Sequence, residues 1–335
     1  MKRKISKKAP LKSPVPPRPP VEKIQADAVI FDIDNVLVDT RLSYLEAIRD
    51  TVELYLTHGP IPFFSRSAGG KFPSLLTSED VDQFKLLGGL NDDWDCCYGL
   101  LVYLLSLPVK NRTLDGLKKL VNIDKFAKSI KQRPLKVAGI TALFGRPTTV
   151  TIEKVARIFQ EIYLGKDIFP RVTMNRMRYW KKRGLIHREK LLFKRPLLEK
   201  MKSRGMKLGI ATGRSLYEAS HALKHFGIAD LFDAMTTMDD VKKEERERKE
   251  SLRKPHPFSI IKTAQTLGAK KKFLYVGDLP DDVLAANRAK ETLSIRSVAF
   301  PMLASNPFQA MKELEAVHPD FIAKSPADLC HLLKI

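Results

Sequence analysis

Four short, continuous apolar runs punctuate the chain. The first is Ala28-Val29-Ile30-Phe31, and the others follow only much later, at residues 207–211, 272–276 and 294–300. A strand covered on both faces has no polar side, so it reads as an unbroken apolar run rather than an alternation. Between the later runs the period becomes helical. In SIIKTAQTLG, Ile260, Ile261, Ala264 and Leu267 share one face, and Gly268 is placed to end the helix. Strands alternating with helices predict an α/β fold, a Rossmann-like parallel sheet with helices on both faces.

The long segment between the first and second runs lacks that alternation. Ser43-x-x-Glu46 has the spacing of a capping box, and Tyr44, Ile48, Val52 and Tyr55 then recur at helical spacing. Thr77-Ser78-Glu79-Asp80 predicts another helix start. Val155, Ile158, Phe159 and Ile162 outline a third helix, with Gly165 just after it. The pattern predicts an α-helical cap domain at 43–192, inserted into an α/β core domain made of 24–42 and 193–335. Residues 1–23 read as a disordered basic tail. Lys2, Arg3, Lys4, Lys7, Lys8, Lys12, Arg18 and Lys23 are balanced only by Glu22, and five prolines between Pro14 and Pro20 block a helix. Such a tail is either simply solvated or an anchor for nucleic acid or another polyanion.

Charge and cysteine content narrow the picture slightly. The net charge of the 335-residue chain is +21, which favours anionic partners without choosing among nucleic acid, anionic surfaces and phosphorylated small molecules. Cys96, Cys97 and Cys330 make no CxxC pair and no zinc-ligand spacing, which points to a reducing, cytoplasmic setting. The apolar stretch GLLVYLLSLPV from Gly99 is too short to span a bilayer, and no apolar segment follows the basic start as in a secretory signal. No membrane association is expected. His221 and His225 stand four apart on a predicted helix, but no third metal ligand accompanies them.

Four polar motifs are expected at the C-terminal ends of predicted parallel strands, where an open α/β sheet binds its ligands. FDIDNVLVDT places Asp32 and Asp34 just past the first strand. Two such carboxylates can share a hard cation while one attacks phosphorus and the other handles a proton; a pair of acids in a turn is the plainer alternative. In GIATGR, Thr212 and the backbone at Gly213 can hold a phosphoryl oxygen, with Arg214 beside them, although Thr212 also suits a helix N-cap. In RKPHPF, Pro255 restricts the backbone of Lys254, which can neutralise a transferring phosphoryl group or be an ordinary surface lysine. In LYVGDLPDD, Asp278 and Asp282 can complete an oxygen-rich cation site or cap a helix.

In this order the four motifs resemble the haloacid dehalogenase-like (HAD) superfamily. The helical insert resembles its subfamily IA, which includes phosphoglycolate phosphatase-like enzymes. That resemblance spans the chain from Ala26 to about Ala327 and implies the following roles. Asp32 is the nucleophile that becomes aspartyl-phosphate, and Asp34 is the general acid and base, its carbonyl binding Mg²⁺. Thr212 binds the phosphoryl group, and Lys254 neutralises it and orients Asp32. Asp278 ligates Mg²⁺, and Asp282 supports the metal or Lys254. The set of metal residues is thus Asp32, Asp34, Asp278 and Asp282. The chain departs from the family pattern at Asn35, where Gly is usual, at Leu279, where Ser is common, and around Lys290. Asn tolerates left-handed backbone, so the turn at Asn35 survives. Relatives that dehalogenate lack the second acid, so Asp34 favours phosphoryl chemistry.

A narrower resemblance, in LGGLNDDWD, IYLG, GLIHRE and TMDDV, is to a small group within that subfamily. Some of its members carry an imidazoleglycerol-phosphate dehydratase label. Such a dehydratase needs clustered histidines, and no two histidines here are adjacent. Within LGGLNDDWD, Gly88 and Gly89 allow a sharp turn. Asn91, Asp92 and Trp94 then offer polar groups and a flat wall to a substrate, or else start a helix. Asn35, Gly213 and Arg214 join them as expected substrate-binding residues. A basic cluster at Arg176, Arg178, Lys181, Lys182 and Arg183 either lines an anionic entrance or is solvated surface. Glu244 with Arg248 and Glu245 with Lys249 have the spacing of helix ion pairs. The expected activity is Mg²⁺-dependent hydrolysis of a small phosphorylated metabolite through a phosphoaspartate. A phosphomutase and a nucleic-acid- or polyanion-binding protein on the same scaffold are the alternatives.

Overall fold

The computed structural model describes residues 24–59, 62–65, 74–90, 92–131, 135–268, 270–304 and 306–335. The basic tail and Asn91 lie outside the described residues. The strands in chain order are β1 (Ala28–Phe31), β2 (Val38–Asp39), β3 (Lys190–Leu191), β4 (Lys207–Ala211), β5 (Ala234–Thr236), β6 (Phe273–Gly277), β7 (Ile295–Ala299) and β8 (Phe321–Ile322). Six of them form a sheet in the order β5-β4-β1-β6-β7-β8, every pair parallel. This is the α/β Rossmann-like core expected from the sequence. Its apolar runs are unbroken because both faces are covered. Val29 and Phe31 pack with Leu208, Ile210, Leu274 and Val276 on one side. Ala28 and Ile30 pack with Phe273, Tyr275, Ile260 and Ala264 on the other. Burying side chains of this size contributes about 1.5–3 kcal/mol each for the larger ones. Gly209 lets the helix Phe258–Gly268 sit close, since a Cβ there would stand 2.7 Å from Thr263 Cγ2.

The segment between β2 and β3 is helical, and its buried side chains form their own core from Leu45 to Ile186. The helix Ser78–Lys85 is capped by Thr77 in a box with Asp80, as its sequence predicts. Ser43 does not cap. It lies inside a π-helical turn, Arg41–Leu45, with its side chain turned inward to Thr40 O and Glu189. Gly165 does end the helix of Val155, Ile158, Phe159 and Ile162, as expected, and a second helical stretch follows it directly. The two stretches together span Ile152–Thr173 and are kinked at Gly165 (φ 71°), where a Cβ would fall 1.9 Å from Gly184 N. Gly88 and Gly89 both turn with positive φ, as expected. Glu244 pairs with Arg248 at 2.7 Å. Glu245 instead accepts from Leu252 N, because the helix Met238–Arg248 ends before Lys249. The two crossings between core and cap meet as β2 and β3, an antiparallel pair. No helix among the described residues is long and apolar enough to cross a membrane.

Candidate active site

The central strand β1 delivers the first motif. Its neighbours β4 and β6 deliver the second and fourth at the same sheet edge. Asp32 accepts from Ile33 N at 2.7 Å through Oδ1 and from Lys254 Nζ at 3.0 Å through Oδ2. Lys254 also reaches Asp282 Oδ1 at 2.8 Å, the same oxygen that accepts from the Tyr275 hydroxyl. Asp282 therefore supports the lysine, and its Oδ2 accepts from Leu279 N. Asn35 takes the left-handed turn with φ 54°. Its carboxamide is already engaged, donating to Asp278 Oδ2 at 3.2 Å and accepting from Thr40 Oγ1 at 2.9 Å. Its side chain orients a carboxylate and also lines the cavity, where a substrate ligand was expected. Thr212 opens onto the cavity while its Oγ1 accepts from Arg214 N. The cap of the following helix, Leu216–His225, is Ser215 and not Thr212.

Asp32, Asp278 and Asp282 each offer an oxygen within 4.8 Å of the others. Burial pushes the Asp32 carboxyl up, partly countered by Lys254. Burial, then Asp282 and Asp32, hold the Asp278 carboxyl well above the usual range. Lys254 stays charged despite its burial because Asp282 and Asp32 face it. A single lysine against three gathered carboxylates leaves a surplus of buried negative charge. Hard oxygen donors carrying such a surplus suit a hard divalent cation. The residues present thus fit Mg²⁺.

These groups open into a cavity of about 770 Å³ whose other wall comes from the cap, including Tyr44, Lys85, Asp92, Trp94 and Phe159. Asp92 caps the helix Asp93–Ser106, accepting from Trp94 N at 2.9 Å. It also meets Arg253 of the core at 3.2 Å. Trp94 lines the cavity with Lys242 Nζ 5.6 Å from its ring. None of Arg176, Arg178, Lys181, Lys182 and Arg183 lines it, so that cluster is no entrance to the described cavity. Arg214, expected to bind substrate, does not line the cavity either. It is 1% exposed, and its guanidinium is held by Glu189 and Asp34 instead of facing a ligand. Burial pushes the Asp34 carboxyl up to about 7, against the pull of Arg214 and with a further push from Asp32. Glu189, Tyr163 and Tyr275 escape sequence reasoning. Glu189 sits in GLIHRE, but nothing local marks a glutamate whose partners are 25 to 146 residues away.

Residues 26–290 match the haloacid dehalogenase-like hydrolase family, and the chain belongs to it. Among its relatives is a protein of Phytophthora nicotianae named imidazoleglycerol-phosphate dehydratase. It is 25% identical over 296 residues, which is 87% of this chain and 48% of that protein. Pyrophosphatase PpaX of Bacillus cereus is 30% identical over 138 residues, 41% of this chain and 56% of that one. The chain therefore spans about half the length of these curated relatives. The solved phosphatase Tt82 of Thermococcus thioreducens shares the fold, with a TM-score of 0.57 and 22% identity over 86% of this chain and 98% of that one. His187, His221 and His225 stand in a row with ring centroids 5.8 and 6.0 Å apart. Among the described residues, only the three aspartates gather metal-ligating atoms closely enough to share an ion.

Proposed function

We propose that the chain is a Mg²⁺-dependent phosphatase that hydrolyses a small phosphomonoester through a phosphoaspartate at Asp32. The observation that carries this reading is Lys254, whose Nζ lies 3.0 Å from Asp32 and 2.8 Å from Asp282. A buried ammonium on the candidate nucleophile opposes the upward push of burial on its carboxyl and offsets charge on an arriving phosphoryl group. An Asp32 oxygen attacks phosphorus, the Asp–O–P bond forms and the ester P–O bond breaks. Asp34 gives its proton to the departing oxygen. It then takes a proton from the water that attacks the phosphoaspartate, which releases phosphate and restores Asp32. A carboxyl with a pKa near 7 suits both tasks at neutral pH. Thr212 and the backbone at Gly213 hold phosphoryl oxygens. Asp32, Asp278, Asp282 and the Asp34 carbonyl would hold Mg²⁺, which when bound supplies neutralisation of phosphate charge.

The cap wall at Asp92 and Trp94, with Asn91 beside them in sequence, contacts the leaving group and sets the choice of phosphorylated metabolite. All three cysteines are free and buried, which accords with a reducing, cytoplasmic setting. The test is phosphate release from p-nitrophenyl phosphate by the purified chain. Excess chelator is expected to lower turnover at least about a hundredfold, and added Mg²⁺ to restore it. Undiminished turnover in chelator would exclude the metal-dependent reading.

A further inference from the structure

Arg214 lies two residues beyond Thr212, yet it is absent from the cavity wall and its side chain is fully buried. Its guanidinium has two carboxylate partners. Nη1 and Nη2 donate to Glu189 Oε2 and Oε1 at 3.0 and 2.9 Å. Nε donates to Asp34 Oδ1 at 2.8 Å, and Nη2 lies 2.7 Å from the same oxygen. Glu189 is the residue before β3, on the return crossing from cap to core. Its Oε1 also accepts from Tyr163 of the helix Ile152–Thr173 at 2.9 Å and from Ser43 of the outgoing crossing at 3.1 Å.

A guanidinium used as a fork on both sides has a fixed plane. A carboxyl bound to it through one oxygen has a fixed direction and turns its other oxygen elsewhere. Asp34 lines the cavity, with its side chain 29% exposed. A pair that served only to tie the fold together would be complete with Arg214 and Glu189. The third partner is the acid at the end of β1.

We propose that Arg214 and Glu189 are positioning residues that aim the Asp34 carboxyl at the leaving-group oxygen and tie that aim to the two crossings that carry the cap. The proposal rests on the phosphatase reading above. Of these three residues Asp34 alone touches the reacting atoms, and Arg214 and Glu189 act through it.

A leaving group that departs as a stable anion needs little help from an acid, whereas an alkoxide needs a proton as it leaves. The experiment therefore compares kcat/KM on p-nitrophenyl phosphate and on glycerol phosphate, with Mg²⁺, for the wild type and for Arg214→Gln and Glu189→Gln. In Arg214→Gln, glycerol phosphate should lose about tenfold or more beyond the loss on p-nitrophenyl phosphate. Glu189→Gln should show the same bias at smaller size. Adding Arg214→Gln to Asp34→Asn should produce little further loss on glycerol phosphate, because Arg214 acts through the Asp34 carboxyl that the first change has already removed. Equal losses on the two esters, or fully additive losses in the double variant, would overturn the positioning role. If Arg214→Gln does not fold, Glu189→Gln and Tyr163→Phe decide by the same comparison, the latter removing a single hydrogen bond. A wild type that turns over neither ester would sink the phosphatase reading, and the proposal with it. Wild-type turnover with unbiased losses would overturn the proposal alone.

Discussion

Asp32→Asn is expected to abolish turnover, by roughly four orders of magnitude or more, while the melting temperature stays within a few degrees of wild type. The amide is nearly the same size and cannot attack phosphorus. Its oxygen can still accept from Ile33 N, and Lys254 keeps its 2.8 Å contact with Asp282. The change also removes one negative charge from a site where burial and crowding already push Asp32 and Asp278 up, so no loss of stability is expected. Phosphate release paired with a thermal melt checks both halves. Hydrolysis near the wild-type rate by the folded variant would remove Asp32 from the mechanism.

Lys254→Met has a different signature, because activity and stability fall together. The lysine side chain is 16% exposed and lies between two carboxylates. Without it, Asp32 and Asp282 face each other buried and without their cation. Removing one partner of a buried pair costs about 3–5 kcal/mol, since the remaining charge is left uncompensated. Turnover should fall about a hundredfold to a thousandfold, as when a charge-stabilising donor is lost from an active site. Mg²⁺ should recover part of the stability by supplying positive charge to the same carboxylates, and should leave most of the turnover loss in place. Melting curves with and without Mg²⁺, set beside the rate, make the check. An unaffected rate would refute the role of Lys254.

The four inner strands of the sheet were legible because each is covered on both faces and so reads as an apolar run. The outer β5 and β8 were not. They have three and two residues, too few to show a period. The β2–β3 pair joins residues about 150 apart through two residues on each side, and no local pattern records such a partner. The placement of Asp32, Thr212 and Asp278 could be read from the sequence because a strand end is a local feature. The partners of Asn35, Arg214 and Ser43 could not. Asn35 proved to orient Asp278, and Arg214 and Ser43 proved to converge on Glu189. In each case the side chain is the expected type in the expected place, and a contact between distant segments decides what it does. Asp282 shows the same division. Its position in the motif left open whether it serves a metal or the lysine, and the structure places it for both, 2.8 Å from Lys254 and with an oxygen within 4.8 Å of those of Asp32 and Asp278.

The central claim is a covalent phosphoryl group on Asp32, and it can be observed directly. The wild-type protein is mixed with substrate and Mg²⁺, quenched in acid within milliseconds, and its peptides are examined by mass spectrometry. A phosphoryl adduct whose fragments place it on Asp32, and which is missing from Asp32→Asn, is the predicted result. Steady turnover with no adduct, or with the adduct on another residue, would contradict the account.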